Sequence, residues 1–175
     1  QLKPWITLIV RTDDGVEFAE AKNNAGNPLP YITIPDASIL PPAGDLWAWA
    51  HVHFNQSISP DPASELVSTN MNAVLPRVQA ILRANPDLAY SRLICPRRLD
   101  VDTRYHVLVI TTFESGRLAG LGQDPSKAPN ATASAWATYA GRPEATNFPF
   151  YYRSFFRTGD RGDFRYLVSL LKPQP

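Results

Sequence analysis

With 175 residues, 44% of them hydrophobic, the chain is long enough for one well-buried core and short for two. Seventeen basic side chains against sixteen acidic ones leave a formal net charge of +1, which argues against a dedicated binder of duplex nucleic acid. The single Cys95 excludes a disulfide framework or a cysteine-based zinc site. No apolar run reaches the roughly 18–20 residues of a membrane-spanning helix and no signal peptide opens the segment, so a soluble protein is expected.

The 17 prolines against 9 glycines predict short elements joined by stiff loops. Trp5–Val10 is a β-branched run, Asp13-Asp14-Gly15 is a turn signal, and Val16–Ala21 alternates cleanly, which together predict a hairpin. After a polar loop, Tyr31–Pro35 reads as a short strand closed by proline. Leu46–Phe54 reads as a strand with Leu46, Ala48, Ala50, Val52 and Phe54 on one face and Trp47, Trp49, His51 and His53 on the other. Asp61-Pro62 supplies a helix start, Glu65–Arg83 carries apolar residues at helical spacing with Pro76 kinking or splitting it, and Asn85-Pro86 ends it.

Arg92–Cys95 and Arg104–Phe113 read as strands, and the continuous Val107-Leu108-Val109-Ile110 marks the second as the centre of a sheet. Residues 123–142 form a long excursion with one helical turn near Ala133–Ala140. Phe148–Arg157 is an aromatic strand, and Asp163–Leu171 is an Asp-capped amphipathic helix. The expected fold is α+β, a mostly antiparallel sheet with two or three helices, with a mixed sheet or β-sandwich core as the alternative. Gln1-Leu2-Lys3-Pro4 does not read as a native translation start and Lys172-Pro173-Gln174-Pro175 resembles a linker, so residues 1–175 are expected to be a single compact domain cut from a longer polypeptide.

No phosphate loop, nucleophile elbow or cofactor fingerprint is present, and no catalytic residue is assigned. The sharpest chemical candidate is His51-Val52-His53, whose imidazoles point the same way roughly 6 to 7 Å apart on a strand and so can reach one divalent ion such as zinc. His106, on another strand, is the remaining histidine able to complete the site. Paired tryptophans on the same face favour a packed or partner-covered surface over a metal, so no cofactor is expected. Trp47 and Trp49 accordingly head the candidate binding residues.

Arg153 and Arg157 join them, because Phe150–Arg157 interleaves aromatics with arginines, the ingredients of a platform for single-stranded nucleic acid. Strict alternation places Phe150, Tyr152 and Phe156 on one face and Tyr151, Arg153, Phe155 and Arg157 on the other. Thr158–Asp163 resembles an anion nest but reads better as a tight turn plus N-cap. Arg117 is the fifth candidate; it lies three residues after Glu114, and a pair across a tight turn is the favoured reading.

The chain resembles a segment of large uncharacterised bacterial multidomain proteins. The resemblance rests on Pro4-Trp5-Ile6, Trp47–Val52, Cys95-Pro96-Arg97-Arg98-Leu99, Thr112–Gly122 and Tyr151–Arg153 through Phe156–Gly159 to Gly162-Asp163-Phe164. It implies a module inside a larger polypeptide. The leading expectation is a non-catalytic structural or protein-interaction module whose partners are other domains of the parent chain or separate proteins. The alternatives are a metal-dependent hydrolase or lyase using the histidine pair, then a binder of single-stranded nucleic acid.

Overall fold

The computed structural model describes residues 3–19, 26–58, 71–142, 144–160 and 168–171, and its fold is α+β. Among these residues the elements run β1 (Ile6–Thr12), β2 (Tyr31–Ile34), β3 (Ala50–Phe54), α1 (Met71–Ala84), β4 (Ala89–Leu93), β5 (Arg104–Thr111), α2 (Glu114–Gly120) and β6 (Thr146–Arg157), with short 3-10 turns between them. The chain divides into two compact units, Ala50–Leu93 and the remainder, Gln1–Trp49 with Ile94–Pro175.

The larger unit is an antiparallel sheet of order β1-β5-β6-β2. The apolar run of β5 puts it at the centre, between β1 and β6. Opposed residues of an antiparallel pair share a face. The register therefore gathers Thr7 and Ile9, Leu108 and Ile110, Phe148 and Phe150, and Ile32 and Ile34 on one inner face. Phe18, Leu40, Leu46, Ala135 and Trp136 pack over it. Each fully buried aliphatic or aromatic side chain there contributes about 1.5–3 kcal/mol. Trp136 is the anchor of the 123–142 excursion, and its indole Nε1 donates to Pro41 O at 2.9 Å.

On the outer face α2 is seated by two glycines. A Cβ on Gly116 would lie 3.1 Å from Thr111 Cβ, and one on Gly120 would lie 2.7 Å from Pro149. One helical turn apart, they let α2 lie directly on β5 and β6. A tight turn was expected across Glu114–Arg117; the segment is instead the first turn of a helix, its glycines serve close packing, and Glu114 complements the helix dipole.

The smaller unit is the β3–β4 hairpin with α1. Pro76 lies inside α1 and costs it the hydrogen bond to the Asn72 carbonyl, yet the helix runs on as one element to Ala84. Asn85 then accepts from Asp87 N and starts a new turn, as its proline neighbour predicts. Residues 59–70, where the helix start was expected, lie outside the described residues.

Two expectations fail for identifiable reasons. Residues 13–15 do turn, with Gly15 at φ 74° and Val16 N donating to Asp14. The chain after them goes to β2 through an Ala19–Thr33 bridge, however, and β1 pairs with β5 instead of forming a local hairpin. The Leu46–Phe54 strand is also divided. Asp45 O accepts from Ala48 N and begins a 3-10 turn over Leu46–Trp49, so only Ala50–Phe54 is extended. Most of the predicted Asp163–Leu171 helix, residues 163–167, lies outside the described residues.

Replacing Gly120 by alanine inserts a methyl against Pro149, an overpacking that costs about 1–3 kcal/mol and outweighs the roughly 1 kcal/mol gained in helix propensity. Its urea midpoint should fall. Gly44→Ala meets nothing within 4 Å and should leave stability within about 0.5 kcal/mol.

Candidate functional site

The residues singled out in the sequence occupy different settings. Trp47 is 44% exposed and Trp49 half-buried, both on the 3-10 turn, so they do not share a strand face with the histidines. His51 and His53 are exposed on β3, opposite Arg92 and Tyr90 respectively. His53 stacks on Tyr90 at 5.0 Å, and Arg92 lies over the same ring while donating to its hydroxyl. A cation thus shares the face of the histidine pair. Among the described residues no three His, Cys, Asp or Glu side chains gather to hold a metal ion.

Arg117 is buried and engaged on three sides. Its Nε and Nη2 donate to the two oxygens of Glu114, each at 2.8 Å, Nη2 also donates to Tyr139 Oη at 2.7 Å, and Nη1 donates to Asn147 O at 3.1 Å. Tyr139 Oη donates in turn to Glu114 Oε1. The expected Glu114–Arg117 pair is present, as one turn of helix. Burial works against the guanidinium's charge, but the carboxylate beside it more than compensates and raises its pKa.

β6 departs from strict alternation. Val109 opposes Tyr152 while Ile110 opposes Phe150, leaving Tyr151 as the extra residue of a β-bulge. Beyond it the faces exchange. Arg153 and Phe155, opposite Leu108 and His106, join the inner face, and Tyr152 and Phe156 take the outer one. The expected division of Phe150 and Tyr152 onto a common face is therefore overturned by one residue. Arg157 pairs with Asp102 at 2.8 Å, with both side chains more than half exposed, a contact worth at most about 1 kcal/mol.

The bulge brings Arg153 to His106. Its Nη2 lies 2.9 Å and its Nε 3.2 Å from His106 Nδ1, and a guanidinium only donates, so Nδ1 is the acceptor and the ring proton sits on Nε2. Nε2 donates to Asp13 Oδ1 at 2.6 Å. Phe18 and Phe155 meet the imidazole edge to face at 4.9 and 4.5 Å. That hydrogen bond from His106 holds the Asp13 carboxyl below the usual carboxylate range.

Directly opposite His106 on β1 is Arg11, buried to all but 5% of its surface. Its Nη1 lies 3.7 Å from Glu17 Oε2 and its Nη2 donates to Ile39 O at 2.7 Å; Nε is buried without a partner. Glu17 also accepts from Arg97 Nη1 through both oxygens, at 2.8 and 2.9 Å, and from Thr12 N. Burial opposes the Glu17 charge, but those donors prevail and its pKa is lowered.

Arg97 Nη1 further donates to Val10 O. Val10 O and Thr12 N belong to the free edge of β1, so Glu17 and Arg97 cover that edge with side chains. A cleft of about 400 Å3 opens beside them, lined by these charges and by Ile39, Leu40, Pro41, Pro42 and Pro96. Compared with protein-family models, curated proteins and solved structures, the chain matches none.

The charged end of the inner face, Arg11, Asp13, Glu17, Arg97, His106 and Arg153, was not assembled from the sequence. Only His106 and Arg153 were singled out, for other roles. The one available signal was Arg11 at the inward position of β1 that follows Thr7 and Ile9.

Arg117→Lys keeps the charge but cannot reproduce the planar fork, and losing one charge-assisted bond should lower unfolding free energy by about 2 kcal/mol in urea titrations. An unchanged midpoint would refute the structural role. The pH profile follows from the shifts. Asp13 and Glu17 have depressed folded pKa values, so their contribution is full above about pH 4–5 and is lost as pH falls through the ordinary carboxylate range toward those values. Tyr139 is raised, by burial and then by its bond to Glu114, so its contribution is full below about pH 10 and is lost as pH rises through the raised value. Thermal midpoints should fall on both flanks.

Proposed function

We propose that the chain is a non-catalytic protein-interaction module of a larger bacterial polypeptide, and that its contact surface is the exposed aromatic part of β6 with Trp5. The observation that carries this reading is the concentration of large apolar side chains in contact with solvent there: Trp5 at 63%, Tyr151 at 50% and Tyr152 at 60% exposure. Trp5 meets Tyr151 edge to face at 6.1 Å, and Tyr152 follows Tyr151 directly in the chain on the outer face. Rigid aromatics of this kind dominate binding hot spots because they bury large areas at small entropic cost.

Two further observations favour protein over nucleic acid as the partner. Arg153 is bonded to His106 and Arg157 to Asp102, so the guanidinium groups interleaved with the aromatics already have acceptors of their own. Stacking platforms for single strands pair aromatics with a basic groove, and a net charge of +1 supplies little surplus.

Hydroxyl-radical footprinting tests the proposal. In dilute purified protein Trp5 and Tyr152 should oxidise rapidly. In cells making the parent polypeptide they should react several-fold more slowly, while Leu75, also more than half exposed on α1, keeps its rate. Equal rates in the two settings for Trp5 and Tyr152 would overturn the reading.

A further inference from the structure

The cleft along the free edge of β1 has the attributes of a ligand site. Its volume, about 400 Å3, falls in the range of small-molecule pockets, and its walls divide into a charged side and an apolar side. On the charged side two guanidinium groups, Arg11 and Arg97, share a single carboxylate, Glu17. In direct ion pairs one positive charge is left over, with Asp100 a more distant negative neighbour of Arg97.

The donors of that surplus charge are incompletely used. Arg97 hydrogen-bonds the described residues through Nη1 alone, its guanidinium carbon lying 5.6 Å from the Tyr105 ring centre; Nε and Nη2 make no hydrogen bond with them. The Nε–Nη2 edge is a planar fork that matches the two oxygens of a carboxylate. Arg11 makes one hydrogen bond among the described residues, to Ile39 O, although the residue is 95% buried and its Nε has no partner. Burial lowers the Arg11 pKa, Glu17 offsets this, and Arg97 lowers it again, so an added negative charge would relieve the position.

The apolar side selects among anions. Pro41, Pro42 and Pro96 with Ile39 and Leu40 offer a rigid wall without hydrogen-bond donors of its own among the prolines, suited to a short hydrocarbon body and not to a fully hydrated ion. A bound peptide strand is disfavoured, because the edge groups Val10 O and Thr12 N are already occupied by Arg97 and Glu17.

We propose that this cleft binds a small organic carboxylate, with its head group on the Nε–Nη2 edge of Arg97 beside Arg11 and its short apolar body against Pro41, Pro42 and Pro96. The site does not depend on the aromatic contact surface of β6.

Titrating 15N-labelled protein with 3-methylbutanoate tests it, the Arg97 Nε–Hε resonance serving as the reporter. A saturable shift with a Kd on the order of 1 mM is expected, in keeping with a ligand of so few atoms. Acetate, lacking the apolar body, should bind several-fold more weakly. Arg97→Gln should weaken 3-methylbutanoate binding at least about tenfold, the loss of one charge-assisted contact, with Arg97→Lys between the two. The proposal is overturned if the wild-type resonance does not saturate, or if butylamine or inorganic phosphate binds as tightly as 3-methylbutanoate. Unchanged affinity in Arg97→Gln would also sink it. The wild-type titrations decide the matter even if a variant does not fold.

Discussion

The buried pair of Glu114 and Arg117 is the interaction on which the larger unit depends. It joins three stretches that share no local sequence relation: α2 itself, the 123–142 excursion through Tyr139, and β6 through the Asn147 carbonyl. Taking two charges out of water is expensive, and their attraction recovers that cost only when the remaining donors and acceptors are also satisfied. Here they are, by a tyrosine hydroxyl and a main-chain oxygen. Removing either partner would strand the other in the interior, so the pair acts chiefly as a constraint on how the excursion closes over the sheet. Trp136, bonded to Pro41 O a few residues before Tyr139, fixes the same segment from the inner face.

A second polar arrangement ends the hydrophobic interior at the opposite end of the strands. Arg11 and His106 occupy inward positions in register with Ile9 and Leu108, and each brings its own partners: Glu17, shared with Arg97, and Ile39 O for the first, Asp13 and Arg153 for the second. The imidazole is held between a pure donor and an acceptor, which leaves one tautomer compatible with both contacts. The inner face is thus apolar along its middle and ionic at this end of its strands.

Much of the scaffold was legible in the sequence. Val107–Ile110 marked the central strand because a sheet centre needs no polar alternation, and Tyr31–Ile34, the proline-bearing helix and the stop at Asn85 followed from local rules. The α+β class was legible for the same reason. What escaped were features decided by distant partners. Asp13-Asp14-Gly15 forms a turn whose flanking strands pair elsewhere, and a 3-10 turn at Leu46–Trp49 is invisible to period-two reading because Ala48 and Ala50 suit either conformation. Glu114 and Arg117 were paired correctly from their spacing. Arg11, Glu17 and Arg97 were not brought together, since they are separated by up to 86 positions in the chain and no motif links them.

The bulge at Tyr151 makes β6 two strands of opposite parity joined end to end. Before it, even-numbered residues lie on the inner face of the sheet; after it, odd-numbered ones do. Such a junction is robust to side-chain substitution, which leaves the backbone count intact, and sensitive to length, because losing or gaining one residue would exchange every downstream face at once. Sequence variation in this strand is therefore constrained as arithmetic before it is constrained as chemistry: the number of residues between Phe150 and Arg153 matters more to where the guanidinium goes than the identity of those between.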